Sequence, residues 1–311
     1  MISEETAGNP QSEQKWIRSS LRKLSVKMKG IGHKVSHSTI GRLLKTLDYS
    51  LKANVKKDSG KDHPDRNKQF EYIASKKEEF MKLGFPIISV DSKKKELIGN
   101  FKNDGQVWCQ EAEHVNTYDF PSSAKANSVP YGIYDIRRNE GSVYVGKSAN
   151  TSEFAVDCIV KWWNEHGKMI YPHISQLLIL ADGGGSNGYR SRYWKKQLQE
   201  EVSNALGLSV TVCHYPKGCS KWNPVEHRLF SQISINWAGK PLRSFDIMLN
   251  LIRGTTTSIG LKVKAFLVDK IYEKGKKVTN KEMKTLNIQR HNLCPNWNYT
   301  IQPNSSFKQT G

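Results

Sequence analysis

Three acids in this chain stand where a carboxylate can do more than face water: Asp91, Asp182 and Glu226. Asp182 follows the run Leu177-Leu178-Ile179-Leu180-Ala181 and is itself followed by Gly183, Gly184 and Gly185. An apolar run that short and continuous reads as a strand buried on both faces. An acid at its carboxyl end lies where open α/β sheets hold their ligands, and the glycines leave room for something large to approach. Asp91 ends a second such run, Pro86-Ile87-Ile88-Ser89-Val90, just ahead of Lys93, Lys94 and Lys95. Glu226 follows Pro224, a residue suited to the first position of a helix. Each acid also has a plainer reading: a solvated turn at Asp182, a surface salt bridge at Asp91, a helix-dipole partner at Glu226. Gathered in one crevice, the three would repel one another and raise each other's pKa, a cost that a divalent cation removes. Oxygen donors suit Mg²⁺ or Mn²⁺. Two such ions can activate an attacking oxygen and stabilise the leaving one at a phosphodiester.

The elements that must bring these acids together read as an α/β layer with a mixed sheet. After the first strand come strand-like pieces at 97–101, 131–137 and 142–146, with an irregular loop over 106–129. Thr151 or Ser152 opens a helix that runs through Trp162 and Trp163 to about Gly167. The Asp182 strand is followed by a basic amphipathic helix over 189–206, a strand over 208–212, and the helix carrying Glu226. A helix over 245–252 and a polar C-terminal segment complete the chain. Phe70, Ile73, Phe80 and Leu83 are spaced for a helix behind a charge-dense linker at 52–68.

The N-terminal part reads as two short amphipathic helices around a glycine turn, a helix-turn-helix. The first spans about 14–28. The second is capped by Ser36 or Ser38 and buries Ile40, Leu43, Leu44 and Leu47. Its outer face would present His37, Thr39, Arg42 and Lys45 to phosphates or base edges, or simply to water. With 48 Lys and Arg against 29 acids, a net charge of +19 and a pI of about 9.6, the chain calls for a polyanionic partner, nucleic acid first. Near the acids, Lys93, Lys94, Lys217, Lys221, Trp222, Asn223, His227 and Arg228 are the candidate DNA contacts, and Asn187 a group that could orient water. The five cysteines form no CxxC. Cys213, His214 and Cys219 match no zinc spacing and read as packed thiols. No signal peptide or membrane-length apolar run is present, so a reducing cytoplasmic setting is expected.

The blocks VDSKKKELIGNF, ILADGGGSNGYRSRYW and HYPKGCSKWNPVEHRLFSQISINWAGKPL resemble the three acidic blocks of the ISAzo13 insertion-sequence family of DDE transposases, related to the IS630/Tc1/mariner group. HPDRNKQFEYI, VPYGIYDI, NLIRGTTT and WNYTIQP are similar as well, so the likeness runs from about Val35 to Pro303. The resemblance implies an RNase H-like core, with Asp91, Asp182 and Glu226 as catalytic, metal-binding triad for two Mg²⁺ or Mn²⁺ ions. It implies cleavage at the element's terminal inverted repeats, then attack of the freed 3′-hydroxyl on target DNA by a protein acting as a homo-oligomer. The location it implies is the bacterial cytoplasm, at the nucleoid when on DNA. The acids are separated by 91 and 44 residues, similar to the family's arrangement. Two departures stand out: Cys219 sits where Thr is more usual, and the N-terminal region is short, as in a truncated copy. The expected organisation is a helix-turn-helix segment at 1–52, a linker and helix at 53–84, and the catalytic domain at 85–311. The alternatives are a non-catalytic DNA-binding remnant that represses transposition, and an RNase H-like nuclease that cuts without joining.

Overall fold

A computed structural model describes residues 6–8, 15–17, 19–51, 63–219 and 222–304. The chain divides into two units, Met1–Asp58 and Ser59–Gly311.

In the first unit the strands β1 (Thr6–Gly8) and β2 (Lys15–Ile17) pair antiparallel. Helices α1 (Leu21–Gly30) and α2 (His37–Thr46) follow. The first helix therefore starts later than its apolar spacing suggests: Trp16 and Ile17 belong to a strand, and Ser20 supplies the cap by accepting from the Lys23 amide. Ser36 caps α2 through the Thr39 amide, and Gly32 takes the left-handed conformation the turn needs, at φ 91°. Leu24 and Ile40 are buried, while Leu43 and Leu47 are about half exposed. Two helices offer one seam, and the expected four-residue buried face of α2 is wider than that seam covers.

The second unit is built on a nine-stranded mixed sheet among the described residues. Its centre comprises β3 (Ile87–Ser92), β5 (Ala126–Asp135), β6 (Glu140–Gly146), β7 (Gln176–Ala181) and β8 (Ser209–His214). Across the sheet they lie in the order β6-β5-β3-β7-β8, with β5 antiparallel to both neighbours and β3, β7 and β8 parallel. That order and those directions are the RNase H-like arrangement expected. A short β4 (Glu96–Ile98) pairs with β5. The C-terminal segment, read only as polar, also joins the sheet. Strand β9 (Lys262–Val268) lies parallel to β6, while β10 (Ile288–Arg290) and β11 (Asn298–Ile301) extend the β8 edge.

Helices cover both faces. On one, α4 (Ser152–Trp162) and α5 (Arg192–Gln197) bring Phe154, Ile159, Trp194 and, just past α5, Leu198 onto Ile88, Val90, Tyr131 and Ile179. On the other lie α3 (Arg66–Lys82), α7 (Phe245–Arg253) and α6, a wide π-type turn Val225–Phe230 continuing as the α-helix Ser231–Asn236. Helix α3 is no free connector. Ile73 and Phe80 pack on Ile87 and Leu178, and the buried Gln69 amide pairs with Asn298 and donates to the His214 carbonyl. Most of the expected linker before α3 lies outside the described residues. No described helix is long and apolar enough to cross a membrane.

Candidate active site

Side chains alternate across a strand, so Ile87, Ser89 and Asp91 face one side of β3 while Ile88 and Val90 face the other. The parallel register matches Val90 to Ala181. Asp91 and Asp182 are therefore the next residues along two adjacent parallel strands. The Asp182 carboxylate accepts from the Gly184 amide at 3.2 Å, so the glycine turn also holds the acid that precedes it.

Glu226 comes from α6, and two contacts fix that helix on the sheet. Gly132 on β5 stands opposite Asp91; a Cβ there would lie 2.6 Å from the Phe230 ring and 3.0 Å from Val225. Only the missing side chain lets α6 approach this closely. The second contact is a polar clasp. The Ser89 hydroxyl donates to Asn223 Oδ1 at 2.5 Å and accepts from the Val225 amide at 2.9 Å, while Asn223 Nδ2 donates to the Val90 carbonyl. Asn223, expected on the DNA face, is fully buried; it is a brace between the strand carrying Asp91 and the helix carrying Glu226. Sequence reasoning passed over Ser89, whose polarity inside an apolar strand was the available signal.

The electrostatics follow from burial and crowding. Asp91 is pushed up from 3.8 to about 8, by burial first, then by the charges of Asp182 and Glu226. Its protonated form donates a hydrogen bond to Glu226. Burial also raises Asp182 and Glu226, the latter against the pull of the Asp91 hydrogen bond and of Lys93. Carboxylates raised in this way are short of positive charge even with Lys93 nearby, and an all-oxygen set of three fits a hard divalent cation. Among the described residues, the trio of His, Cys, Asp or Glu whose donor atoms all lie within 4.8 Å of one another is His63, Asp65 and Cys294. The three acids are thus spread more widely than a closed single-ion cage.

The surrounding candidates divide. Lys93 is mostly enclosed, paired with Glu96 and set 4.8 Å above the Trp237 ring. Lys94, Lys217, His227 and Arg228 are exposed, as is Trp222, whose ring also meets Phe70 edge-on. Lys221 lies outside the described residues. Asn187 is buried and its side-chain oxygen accepts from Tyr131, so its amide group is a brace for the glycine loop rather than an exposed water ligand. In the first unit His37, Arg42 and Lys45 are exposed, and the half-buried Thr39 lies in the Ser36 cap network. Cys213 and Cys219 are buried thiols, and both ring nitrogens of His214 face carbonyls, those of Trp297 and Asn187.

A family profile described as the Rhodopirellula transposase DDE domain matches residues 1–303. No curated protein matches the chain. Among solved structures, the Mos1 transposase paired-end complex with left transposon end is 11% identical with a TM-score of 0.44; 74% of this chain covers 64% of that one. A pre-cleavage Mos1 transpososome is 11% identical at 0.44, covering 77% and 72%. The Mos1 mariner paired-end complex with Mn is 13% identical at 0.42, covering 74% and 64%. This chain thus spans just under two thirds of the first of those chains.

Proposed function

The chain belongs to the Rhodopirellula transposase DDE-domain family, and from that premise we propose that it cuts DNA at the ends of an insertion sequence and joins them to a target. The observation that carries this reading is the meeting of Asp91 and Asp182 at the ends of adjacent parallel strands, with the helix that carries Glu226 clasped to the strand of Asp91 through Ser89 and Asn223. We assign the catalytic role to these three. Divalent cations held by their carboxylates, two Mg²⁺ or Mn²⁺ ions by the chemistry of such sites, supply Lewis-acid stabilisation of charge at the phosphate and lower the pKa of the attacking hydroxyl.

The protein's own groups do the rest. Asp91, which burial and the neighbouring acids keep protonated, must lose that proton before all three acids are negative together. The clasp of Ser89 and Asn223 keeps Glu226 at the strand end while DNA binds. Exposed Lys94, Lys217, His227 and Arg228 hold the phosphate backbone, Trp222 lies against the same strand, and Lys93 keeps positive charge beside Glu226. In the cleavage step water attacks phosphorus and a 3′-hydroxyl leaves. In the joining step that hydroxyl attacks a target phosphodiester, so one P–O bond forms as another breaks and no external energy source is needed. His37, Thr39, Arg42 and Lys45 of the helix-turn-helix read the terminal repeats, and the active form is a homo-oligomer on DNA.

The test is incubation of the purified protein with Mg²⁺ or Mn²⁺ and DNA carrying the element's own ends. Nicked and joined products are expected, and Asp182→Asn should reduce both by at least about 10³-fold, the scale of losing one group that acts directly at the reacting centre. Cutting without joining would make the protein a nuclease. Binding with no cleavage under any metal would make it a DNA-binding remnant.

A further inference from the structure

Bordering the loop that carries Asp182, on the β8 side of the sheet, lies a concave site that none of the roles above uses. It is a cleft of about 660 Å³ whose walls include Tyr189, Arg190, Arg192, Lys195, Arg290 and Trp297, and no acid lines it. The cations come from three separate places: the loop after β7, helix α5 and strand β10. Folding that gathers like charges at one point is costly unless something of opposite sign completes the site.

The hydrogen bonds of these cations are all to neutral oxygens. Lys195 is 6% exposed, and its ammonium donates to the Tyr189 carbonyl at 2.6 Å. Arg192 donates to Asn280 Oδ1 at 2.7 Å and more weakly to the Val278 carbonyl. Arg290 reaches the Pro295 carbonyl and Asn296 Oδ1, and Arg190 lies over the Tyr189 ring at 5.4 Å. Among the described residues no carboxylate pairs with any of the four. Burial and then the charges of Arg290 and Arg192 lower the Lys195 ammonium to about 8, the direction expected of a buried cation among cations.

The cleft is joined to the catalytic loop. A Cβ on Gly183, next to Asp182, would touch the Tyr189 ring at 3.5 Å. The same ring stands edge-on to His214, which faces the Asn187 carbonyl of that loop. The cleft therefore borders the loop that carries Asp182.

We propose that the cleft formed by Arg190, Arg192, Lys195 and Arg290 is a phosphate-binding subsite for the DNA strand, holding a backbone phosphate away from the one that reacts. It rests on the transposase reading, because it takes the bound polymer to be DNA. It positions the strand and does no chemistry, so its loss is read in binding without metal.

The experiment measures binding of a labelled DNA duplex in EDTA, where no cleavage occurs, over a range of salt. Arg192→Gln and Arg290→Gln change exposed residues, and Lys195→Met keeps the length of the buried stem. Each variant should lower the slope of log affinity against log salt by about one and weaken binding several-fold at low salt. Unchanged affinity and slope in the two arginine variants, in a preparation whose wild type binds and cleaves, would overturn the subsite and leave the transposase reading standing. If the wild type bound no DNA, both would fall. If inorganic phosphate raised the melting temperature of the wild type but not of Lys195→Met, while DNA affinity stayed the same, the cleft would hold a small free anion and the proposal would be wrong.

Discussion

At Asp91 burial, reinforced by the charges of Asp182 and Glu226, becomes a measurable stability effect. Its folded pKa of about 8 lies above the ordinary 3.8, so the fold favours the protonated form. The stability this contributes is complete below the ordinary value and is lost as pH rises toward 8. His214 works in the opposite sense: burial lowers it from 6.5 to about 4, so its contribution grows with pH between those values and is complete above them. The clean window is thus pH 6.5 to 8. In EDTA the wild type should lose melting temperature across that window, and Asp91→Asn should lose much less. Excess Mg²⁺ or Mn²⁺ should reverse the trend for the wild type, because metal ligands bind once deprotonated. A metal-free melting temperature that climbs over this window would show that the fold does not hold Asp91 protonated. The positions of Asp91 and Asp182 were legible because each ends an apolar run. The strength of their interaction was not, since it depends on which strands become neighbours.

Among the elements, the least expected result is what seats α6. Asn223 stands in sequence among Lys217, Trp222, His227 and Arg228, and looked like one more DNA contact. Its amide is instead spent on Ser89 and Val90. Composition along a loop says which groups are polar but not which of them the next helix turns inward. Asn223→Ala would leave the Ser89 hydroxyl and the Val90 carbonyl short of partners, a loss of about 1–3 kcal/mol for a buried polar group. Cleavage should fall further than stability alone explains, by tenfold or more at a temperature where the variant is folded, because Glu226 loses its register with Asp91. A variant as active as the wild type under those conditions would refute the bracing role. Gly132→Ala tests the same seat from the sheet side. Its Cβ would meet Phe230 and Val225, so it should lower both melting temperature and cleavage, measured by thermal scan and product yield. Strand β9 could have been found in the alternation of Val263 and Ala265 with Lys262 and Lys264. Strands β10 and β11, three and four residues long, are too short for a period to register.

For the molecule as a whole, a charge of +19 sets the kind of partner, and the two units divide the work proposed here. Arg42→Gln with Lys45→Gln should reduce preference for the element's ends over random DNA, with cleavage of pre-nicked DNA left near the wild-type rate. Competition binding and a cleavage assay run side by side would check this; equal losses in both would place α2 in the catalytic step. The apolar runs, their terminal acids and the glycines between them follow from sequence alone, because strand burial and turn chemistry are local properties. So do the choice of Ser36 or Ser38 as the cap of the second helix and the excess of cations. Only the tertiary structure decided that Val90 lies opposite Ala181, that α3 packs into the second unit, and that Arg192, Lys195 and Arg290 share one cleft. Those are relations between segments up to a hundred or more residues apart, fixed by which faces can be buried together, and no window along the chain contains them.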